Sequence, residues 1–174
     1  MSLLLIDGYN VIARGLAKNP TRDMGSDEAK RSYREELIRL SKRYCASKTG
    51  LEIRIYFDGT EESFAAELSN HAVKIFFTEG DQGADNAIIQ FCRDYSRPRE
   101  IEVATDDWHS LAFHIRSQVG KILSVAELMH RLDPGRLSST SKTSSNNHKV
   151  NEEPPLSPGA RQAINKTLPA SWFR

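Results

Sequence analysis

Short apolar runs alternate with longer amphipathic stretches through residues 2–132 of the chain. The apolar runs are rich in β-branched and aromatic residues and predict strands at 2–6, 51–57, 73–77, 101–105 and 121–123. The amphipathic stretches carry apolar residues at helical spacing and predict helices at 27–47, 61–70, 84–95, 107–116 and 125–132. Strands that alternate with helices predict an α/β fold, a three-layer α/β/α sandwich with a mostly parallel sheet.

The pattern ends at Asp133-Pro134-Gly135, where Pro and Gly follow the last predicted helix. We therefore predict a domain over 1–134 and a Ser-rich tail over 135–174. The tail is too polar to bury enough apolar surface to offset the entropy of ordering, and we predict that it is disordered. Its end carries Trp172 and Phe173, which we interpret either as a docking motif for a protein partner or as a hydrophobic end that packs on its own domain.

Charge separates the same two parts of the chain. The tail holds six of the 24 Lys and Arg residues and two of the 23 Asp and Glu residues, so it carries +4 and residues 1–134 carry −3. A basic tail on an acidic domain hints at a polyanionic partner, although a solvated linker would have the same composition.

The composition is that of a globular protein, with 39% hydrophobic and 27% charged residues in 174. The apolar runs are too short to span a bilayer, and no secretory signal precedes the first strand, so we expect no membrane association. Cys45 and Cys92 lack CxxC partners and lie in apolar helical patterns. We expect them to be buried free thiols in a reducing, cytoplasmic environment.

Acidic residues follow most of the predicted strands. Asp7 follows the first strand, Asp58 the second and Asp107 the fourth, while Asp85 opens the helix after the third. A single Asp at such a position is usually a turn or capping residue. Because the carboxyl ends of parallel strands share one edge of a sheet, four acids there would repel one another unless a cation lay between them. Oxygen ligands of this kind suit Mg²⁺ or Mn²⁺.

A metal site of this kind suits hydrolysis of a phosphodiester bond. The sequence has no Walker A, GxGxxG or HExxH motif that would indicate a different chemistry. His109 and His114 are five residues apart and do not share one helix face, which disfavours a histidine-based hydrolase. An aspartyl-phosphate enzyme usually has a second acid two residues after the first, and here Tyr9 occupies that position.

Four segments, taken in this order, resemble the NYN domain of the YacP type, within the PIN-like ribonuclease class. The opening segment contains Asp7-Gly8-Tyr9-Asn10 and is the most specific; the others are Tyr56 to Gly59, Gly83 to Ile88 and Val103 to Asp107. The resemblance extends over residues 2–132. It implies a PIN-like α/β/α sandwich and an endoribonuclease that cleaves RNA with Mg²⁺ or Mn²⁺.

The resemblance also implies roles for individual residues. Asp7, Asp85 and Asp107 would be the catalytic metal ligands. Asp58 matches an acid common in the family, which would bind the metal or orient its ligands. Asn10 would orient the substrate or a metal-bound water.

Two positions depart from the family pattern. The family often has a hydroxyl residue where this chain has Gly83, and a second acid where it has Asn86. Asp81 or Asp106 could substitute for the missing acid, and the Asp106-Asp107 pair leaves two candidates for the third ligand. An alternative is therefore a PIN-like module that binds RNA or a protein with weak or no catalysis.

Basic residues near the predicted edge are candidates for contacts with the RNA backbone. Arg14 lies close to Asp7 in the sequence, and Arg34 lies on the long helix with Arg31 and Lys42. The alternative is an ordinary solvated helix face with pairs such as Arg31 with Glu35.

Overall fold

Five parallel strands form one sheet in the computed structural model of the protein, which describes residues 2–79 and 83–135, with only the backbone at 62 and 63. The strands are β1 (Ser2–Asp7), β2 (Leu51–Asp58), β3 (Val73–Thr78), β4 (Ile101–Ala104) and β5 (Lys121–Leu123). Each predicted strand is found, within one residue of its predicted end.

The strand order is β3-β2-β1-β4-β5. β1 pairs with β2 on one side, with Asp7 opposite Tyr56, and with β4 on the other, with Ile6 opposite Ala104. The chain therefore builds outwards from β1 in both directions, and the order reverses between β1 and β4. In parallel sheets such a reversal leaves a crevice beyond the carboxyl ends of the two strands, where ligands bind.

Seven α-helices connect or follow these strands within the described residues. They are α1 (Gly8–Val11), α2 (Pro20–Asp23), α3 (Asp27–Ala46), α4 (Glu62–Leu68), α5 (Gly83–Asp94), α6 (Leu111–Ile115) and α7 (Val125–Leu132). A π-helical turn, Ile12–Leu16, continues α1, and a 3₁₀ turn, Pro98–Glu100, precedes β4.

One helix prediction differs from the structure. The predicted helix 107–116 begins only at Leu111, because the Asp107 carboxylate accepts a hydrogen bond from the Ser110 N–H and holds the preceding residues in a turn. Three further elements, α1, the π-helical turn and α2, were not predicted. These elements are four or five residues long, too short for a helical repeat to be visible in the sequence.

The helices cover both faces of the sheet, which confirms the predicted three-layer sandwich. On one face, residues of α3, α4 and α7 pack with the sheet in a core that includes Leu37, Phe57 and Leu128. On the other face, α5 and α6 form a second core that includes Ile88 and Leu111. Burial of each side chain of this size contributes roughly 1.5–3 kcal/mol to the free energy of folding through the hydrophobic effect. The two cores therefore hold the strands, and with them the residues at their ends, in place.

Both cysteines, Cys45 and Cys92, are buried and free, as predicted. Among the described helices, none is both long enough and apolar enough to cross a membrane. The predictions for the tail, including Trp172 and Phe173, concern residues outside the described part of the chain, as does Asp81.

Candidate active site at the carboxyl edge of the sheet

The crevice between β1 and β4 collects the predicted acids. We refer to Asp7, Asp58, Asp85 and Asp107 as the carboxyl-edge acids. Asp7 ends β1, Asp58 ends β2, Asp85 lies in the first turn of α5, and Asp107 lies in the turn after β4. Within the described residues, none of them forms a salt bridge with a Lys or Arg side chain.

Asp7 is the most buried of these acids, with 7% of the residue exposed. Its side chain caps α1 by accepting a hydrogen bond from the Asn10 N–H, at 3.3 Å. Gly8 makes this tight exit from β1 possible. A Cβ atom there would lie 2.3 Å from the Phe57 ring and 2.8 Å from the Tyr56 carbonyl oxygen, so any side chain would push β1 and β2 apart.

Two hydroxyl side chains connect three of the carboxyl-edge acids. Thr105 is fully buried after β4, and its hydroxyl group donates to Asp7 Oδ2 (3.3 Å). The Thr105 hydroxyl oxygen also accepts a hydrogen bond from the Asp107 N–H (3.0 Å). Ser110 donates its N–H to Asp107 Oδ1 (2.9 Å) and its hydroxyl proton to Asp85 Oδ2 (3.1 Å). A continuous set of hydrogen bonds therefore runs from Asp7 through Asp107 to Asp85.

Asp58 contacts the start of helix α5 instead of the Thr105 and Ser110 hydroxyl groups. Its Oδ1 accepts the Ala84 N–H at 2.6 Å and so holds the first turn of α5, which carries Asp85. Gly83 has a φ of +43°, and a Cβ there would lie 3.2 Å from the same oxygen. Glycine therefore allows the left-handed backbone and the close approach of Asp58 to the helix. The departure from the family pattern at this position has a local structural reason.

Asn10 and Asp106 hold the loop after β4 against β1. The Asn10 side-chain oxygen accepts the Asp106 N–H at 2.9 Å. The Asp106 carboxylate accepts the Val125 N–H at 3.0 Å, at the start of α7. Asp106 is thus engaged with α7, whereas Asp107 shares Ser110 with Asp85.

Burial and repulsion between carboxylates make Asp7 and Asp85 weaker acids than usual. Burial raises the pKa of Asp7 from 3.8 to about 7, and the charges of Asp85 and Asp58 act in the same direction against the hydrogen bonds from Asn10 and Thr105. Burial also raises the pKa of Asp85, with further contributions from the charges of Asp107 and Asp58. Negative charge at this edge is therefore held at a cost in free energy.

The donor atoms fit a hard divalent cation, since the carboxyl-edge acids offer only oxygen ligands and carry uncompensated charge. Within residues 2–79 and 83–135, however, no three His, Cys, Asp or Glu side chains lie close enough to hold a metal ion as they stand. Asp7, Asp85 and Asp107 would have to close around an ion, which side-chain rotation at Asp85 and Asp107 would permit because both are only half-buried.

The two predicted phosphate contacts have contrasting positions. Arg14 is exposed on the π-helical turn and pairs with no acid in the described part of the chain. Arg34 is only 3% exposed; its Nη2 donates to both carboxylate oxygens of Glu61 (2.7 Å each) and its Nη1 donates to the Tyr9 hydroxyl oxygen (2.7 Å).

A contact between Arg34 and phosphate stays a prediction; in this structure its guanidinium is already engaged by Glu61 and Tyr9. Its guanidinium also lies over the rings of Phe64 and Phe77, at 5.2 and 5.6 Å from their centroids. Arg34 therefore connects α3 to Glu61, the residue before α4, and to Tyr9, next to the carboxyl edge.

No role was predicted for Thr105 or Ser110 from the sequence. Thr105 directly precedes Asp106-Asp107, and Ser110 lies three residues after Asp107, the spacing of a side-chain cap. This spacing was the available signal for Ser110. Its bond to Asp85 crosses 25 residues of sequence and depends on the fold.

Comparison with known proteins agrees with this architecture. The sequence model of one protein family, described as the YacP-like NYN domain, matches residues 4–168. No curated protein sequence matches the chain.

Two similar solved structures are crystal structures of Rae1 (YacP) from Bacillus subtilis. One has 24% sequence identity, covers 95% of this chain and 89% of that chain, and has a TM-score of 0.61. The other, of a point mutant of the same protein, has 25% identity, covers 83% of this chain and 87% of that chain, and has a TM-score of 0.58.

Proposed function

The chain belongs to the YacP-like NYN domain family, a PIN-like nuclease-type domain, and from this premise we propose that it is a metal-dependent endoribonuclease that hydrolyses RNA phosphodiester bonds. The observation that carries the proposal is the hydrogen-bonded series Asp7, Asp107 and Asp85, which lies in the crevice between β1 and β4 without a cationic partner among the described residues.

Asp7, Asp85 and Asp107 would hold Mg²⁺ or Mn²⁺. When bound, such an ion lowers the pKa of a water molecule and neutralises charge on the leaving oxygen. Thr105 and Ser110 hold the Asp7 and Asp85 carboxylates at one edge of the sheet, and Asp58 holds the helix turn from which Asp85 projects. From these positions, rotation of the Asp85 and Asp107 side chains would complete the set of oxygen ligands around the ion.

Asn10 and Arg14 would act on the substrate. The side-chain oxygen of Asn10 is already engaged with the Asp106 N–H, so its amide NH₂ group is the part that could donate to a phosphate or a water. Arg14, exposed and without an acidic partner in the described residues, could contact the RNA backbone as a sequence-independent cation.

The buried free thiols Cys45 and Cys92 support a site of action in a reducing compartment such as the cytoplasm. A second candidate function is an RNA-binding or protein-binding module without turnover. It is favoured by one observation, that no three acids of the described residues are close enough to hold a metal ion as they stand.

Cleavage of end-labelled RNA distinguishes these functions. Wild-type protein with Mn²⁺ or Mg²⁺ is expected to cut RNA internally, and EDTA is expected to stop the reaction. Asp85→Asn, at the start of α5, should reduce kcat by at least about 100-fold, since charge stabilisation at the reacting centre is lost.

Asp94→Asn is the matched control, because Asp94 is exposed at the other end of the same helix. It should leave the rate unchanged. If folded wild-type protein with metal present bound RNA but did not cut it, the proposed endoribonuclease activity would be contradicted and the binding module would be supported.

A further inference from the structure

A groove of about 550 Å³ runs between α5 and α6. It is lined by Asn86, Ile89, Gln90, Arg93, Ser110 and His114. Ser110 is also the residue whose hydroxyl group donates to Asp85. The groove is therefore continuous with the carboxyl-edge acids, and a chain whose phosphate reached those acids could continue into it.

The segment that forms one wall of this groove also exposes aromatic rings. Trp108 and Phe113 are 54% and 56% exposed, and within the described residues they are the exposed large hydrophobic side chains. Trp108 directly follows Asp107. The Phe113 ring meets the ring of His114, which lines the groove, edge to face with centroids 5.6 Å apart. Leaving two large aromatic side chains in water within six residues of each other indicates a binding surface.

Cations accompany these rings. The Arg116 guanidinium lies over the Phe113 ring, 4.7 Å from its centroid. Arg93 lines the groove from α5. Neither arginine forms a salt bridge with an acid in the part of the chain that the structure describes. The arginines at the groove favour a negatively charged ligand, whereas the negative charge of the adjacent carboxyl-edge acids is not compensated. A ligand that contacts both the groove and the acids therefore has to be an anion that binds together with a cation.

We propose that the groove, together with the Phe113 ring beside His114 at its rim, is a subsite for an unpaired nucleotide of RNA next to the cleaved phosphate, with the base stacked on Phe113 and the phosphate contacted by Arg93. Unpaired bases expose the faces that stack on aromatic side chains, whereas the bases of a duplex are already stacked on one another. Trp108 offers a second ring on the same segment. The inference rests on the proposed function and assigns the residues that would hold an unpaired nucleotide beside the cleaved bond.

Fluorescence anisotropy with a labelled single-stranded RNA in EDTA measures binding without cleavage. Phe113→Leu keeps a large apolar side chain but removes the ring, and Phe113→Tyr keeps the ring. We expect Phe113→Leu to raise the Kd for single-stranded RNA roughly tenfold and Phe113→Tyr to leave it near the wild-type value. A fully paired RNA duplex of the same length should bind wild type and Phe113→Leu equally, because its bases are not available.

An equal Kd for wild type and Phe113→Leu on single-stranded RNA would overturn the inference, as would equal weakening on single strands and duplex. Cleavage assays on the same proteins separate this result from a failure of the proposed function. Metal-dependent cleavage with a Kd that does not depend on Phe113 would contradict the subsite and support the endoribonuclease. Binding that depends on Phe113, without cleavage, would support the subsite and contradict the endoribonuclease. Wild-type protein that neither binds RNA in EDTA nor cleaves it with metal overturns both proposals, and leaves the exposed rings as a surface for a protein partner.

Discussion

Acidic side chains at the two edges of the sheet have different kinds of hydrogen-bond partner. At the amino edge, where the strands begin, Glu52 is bonded to Arg54 (2.6 Å) and Lys74 (3.1 Å), and Glu102 to Arg131 (2.6 Å). At the carboxyl edge, the four acids are bonded to hydroxyl groups and backbone N–H groups, with no Lys or Arg partner in the described residues.

The pKa values follow this difference. Burial opposes ionisation at Glu52, but the hydrogen bonds and charges of Arg54 and Lys74 outweigh it and lower its pKa. At Asp7 burial prevails, and neighbouring acids add to it, so the pKa rises to about 7. Basic side chains of the fold thus stabilise the ionised form of Glu52, whereas the ionised forms of Asp7 and Asp85 are destabilising until a cation binds them. Such a cost in stability is typical of functional sites.

Removal of the charge at Asp7 should stabilise the protein and is the largest effect we expect. Asn in place of Asp7 keeps the cap on α1 and removes the buried negative charge. In EDTA at pH 7.5, Asp7→Asn should raise the free energy of unfolding by roughly 2–4 kcal/mol, as measured by urea denaturation. A loss of stability in this variant would mean that the edge is not under electrostatic strain.

The pH dependence of stability sharpens the same contrast. Between pH 3.8, the ordinary pKa of Asp, and about 7, the unfolded chain loses the Asp7 proton while the folded chain keeps it. The Asp7 contribution to stability should therefore fall as pH rises through this window and become constant above it. The difference between Asp7→Asn and wild type should grow from near zero at pH 4 to its full value above pH 7. A difference independent of pH would contradict this assignment.

The corresponding change at the amino edge should have the opposite sign. Glu52→Gln leaves Arg54 and Lys74 without their carboxylate and should lower the free energy of unfolding by roughly 1–2 kcal/mol. Urea denaturation at pH 7.5 measures it beside Asp7→Asn. If both variants moved stability in the same direction, the distinction between the two edges would be lost.

The smallest expected effect is at Ser110. The Ser110 hydroxyl group donates to Asp85 and lowers the pKa of that carboxyl, against the effects of burial and nearby charge. Ser110→Ala should therefore raise the pKa of Asp85 further, as followed by ¹³C NMR of the side-chain carboxyl group in EDTA. An unchanged titration would show that this hydrogen bond is not formed in solution.

The sequence predicted most of the fold because the strands and longer helices carry clear periodicity, and parallel strands necessarily bring their ends to one edge. It therefore predicted that Asp7, Asp58, Asp85 and Asp107 would gather. It did not predict how they are held, because Thr105 and Ser110 act through bonds between segments distant in the sequence.

The partners of Arg34 were also not predicted from the sequence. Arg34 precedes the buried Leu37 and Ile38 by three and four residues and so lies on the inner face of α3. The periodicity contained this information, but an arginine on the core side of a helix is unusual unless it has a partner. The partner, Glu61, lies 27 residues away, and only the fold brings it there.

Direct measurement of Mn²⁺ binding tests the central claim, that the carboxyl edge is a cation site and the amino edge is not. The electron paramagnetic resonance signal of free Mn²⁺ is recorded at pH 7.5 with wild type, Asp7→Asn and Glu52→Gln. Wild type and Glu52→Gln should both reduce the free-ion signal to the same extent, and Asp7→Asn should not. Equal binding by wild type and Asp7→Asn, or no binding by folded wild type, would contradict the account.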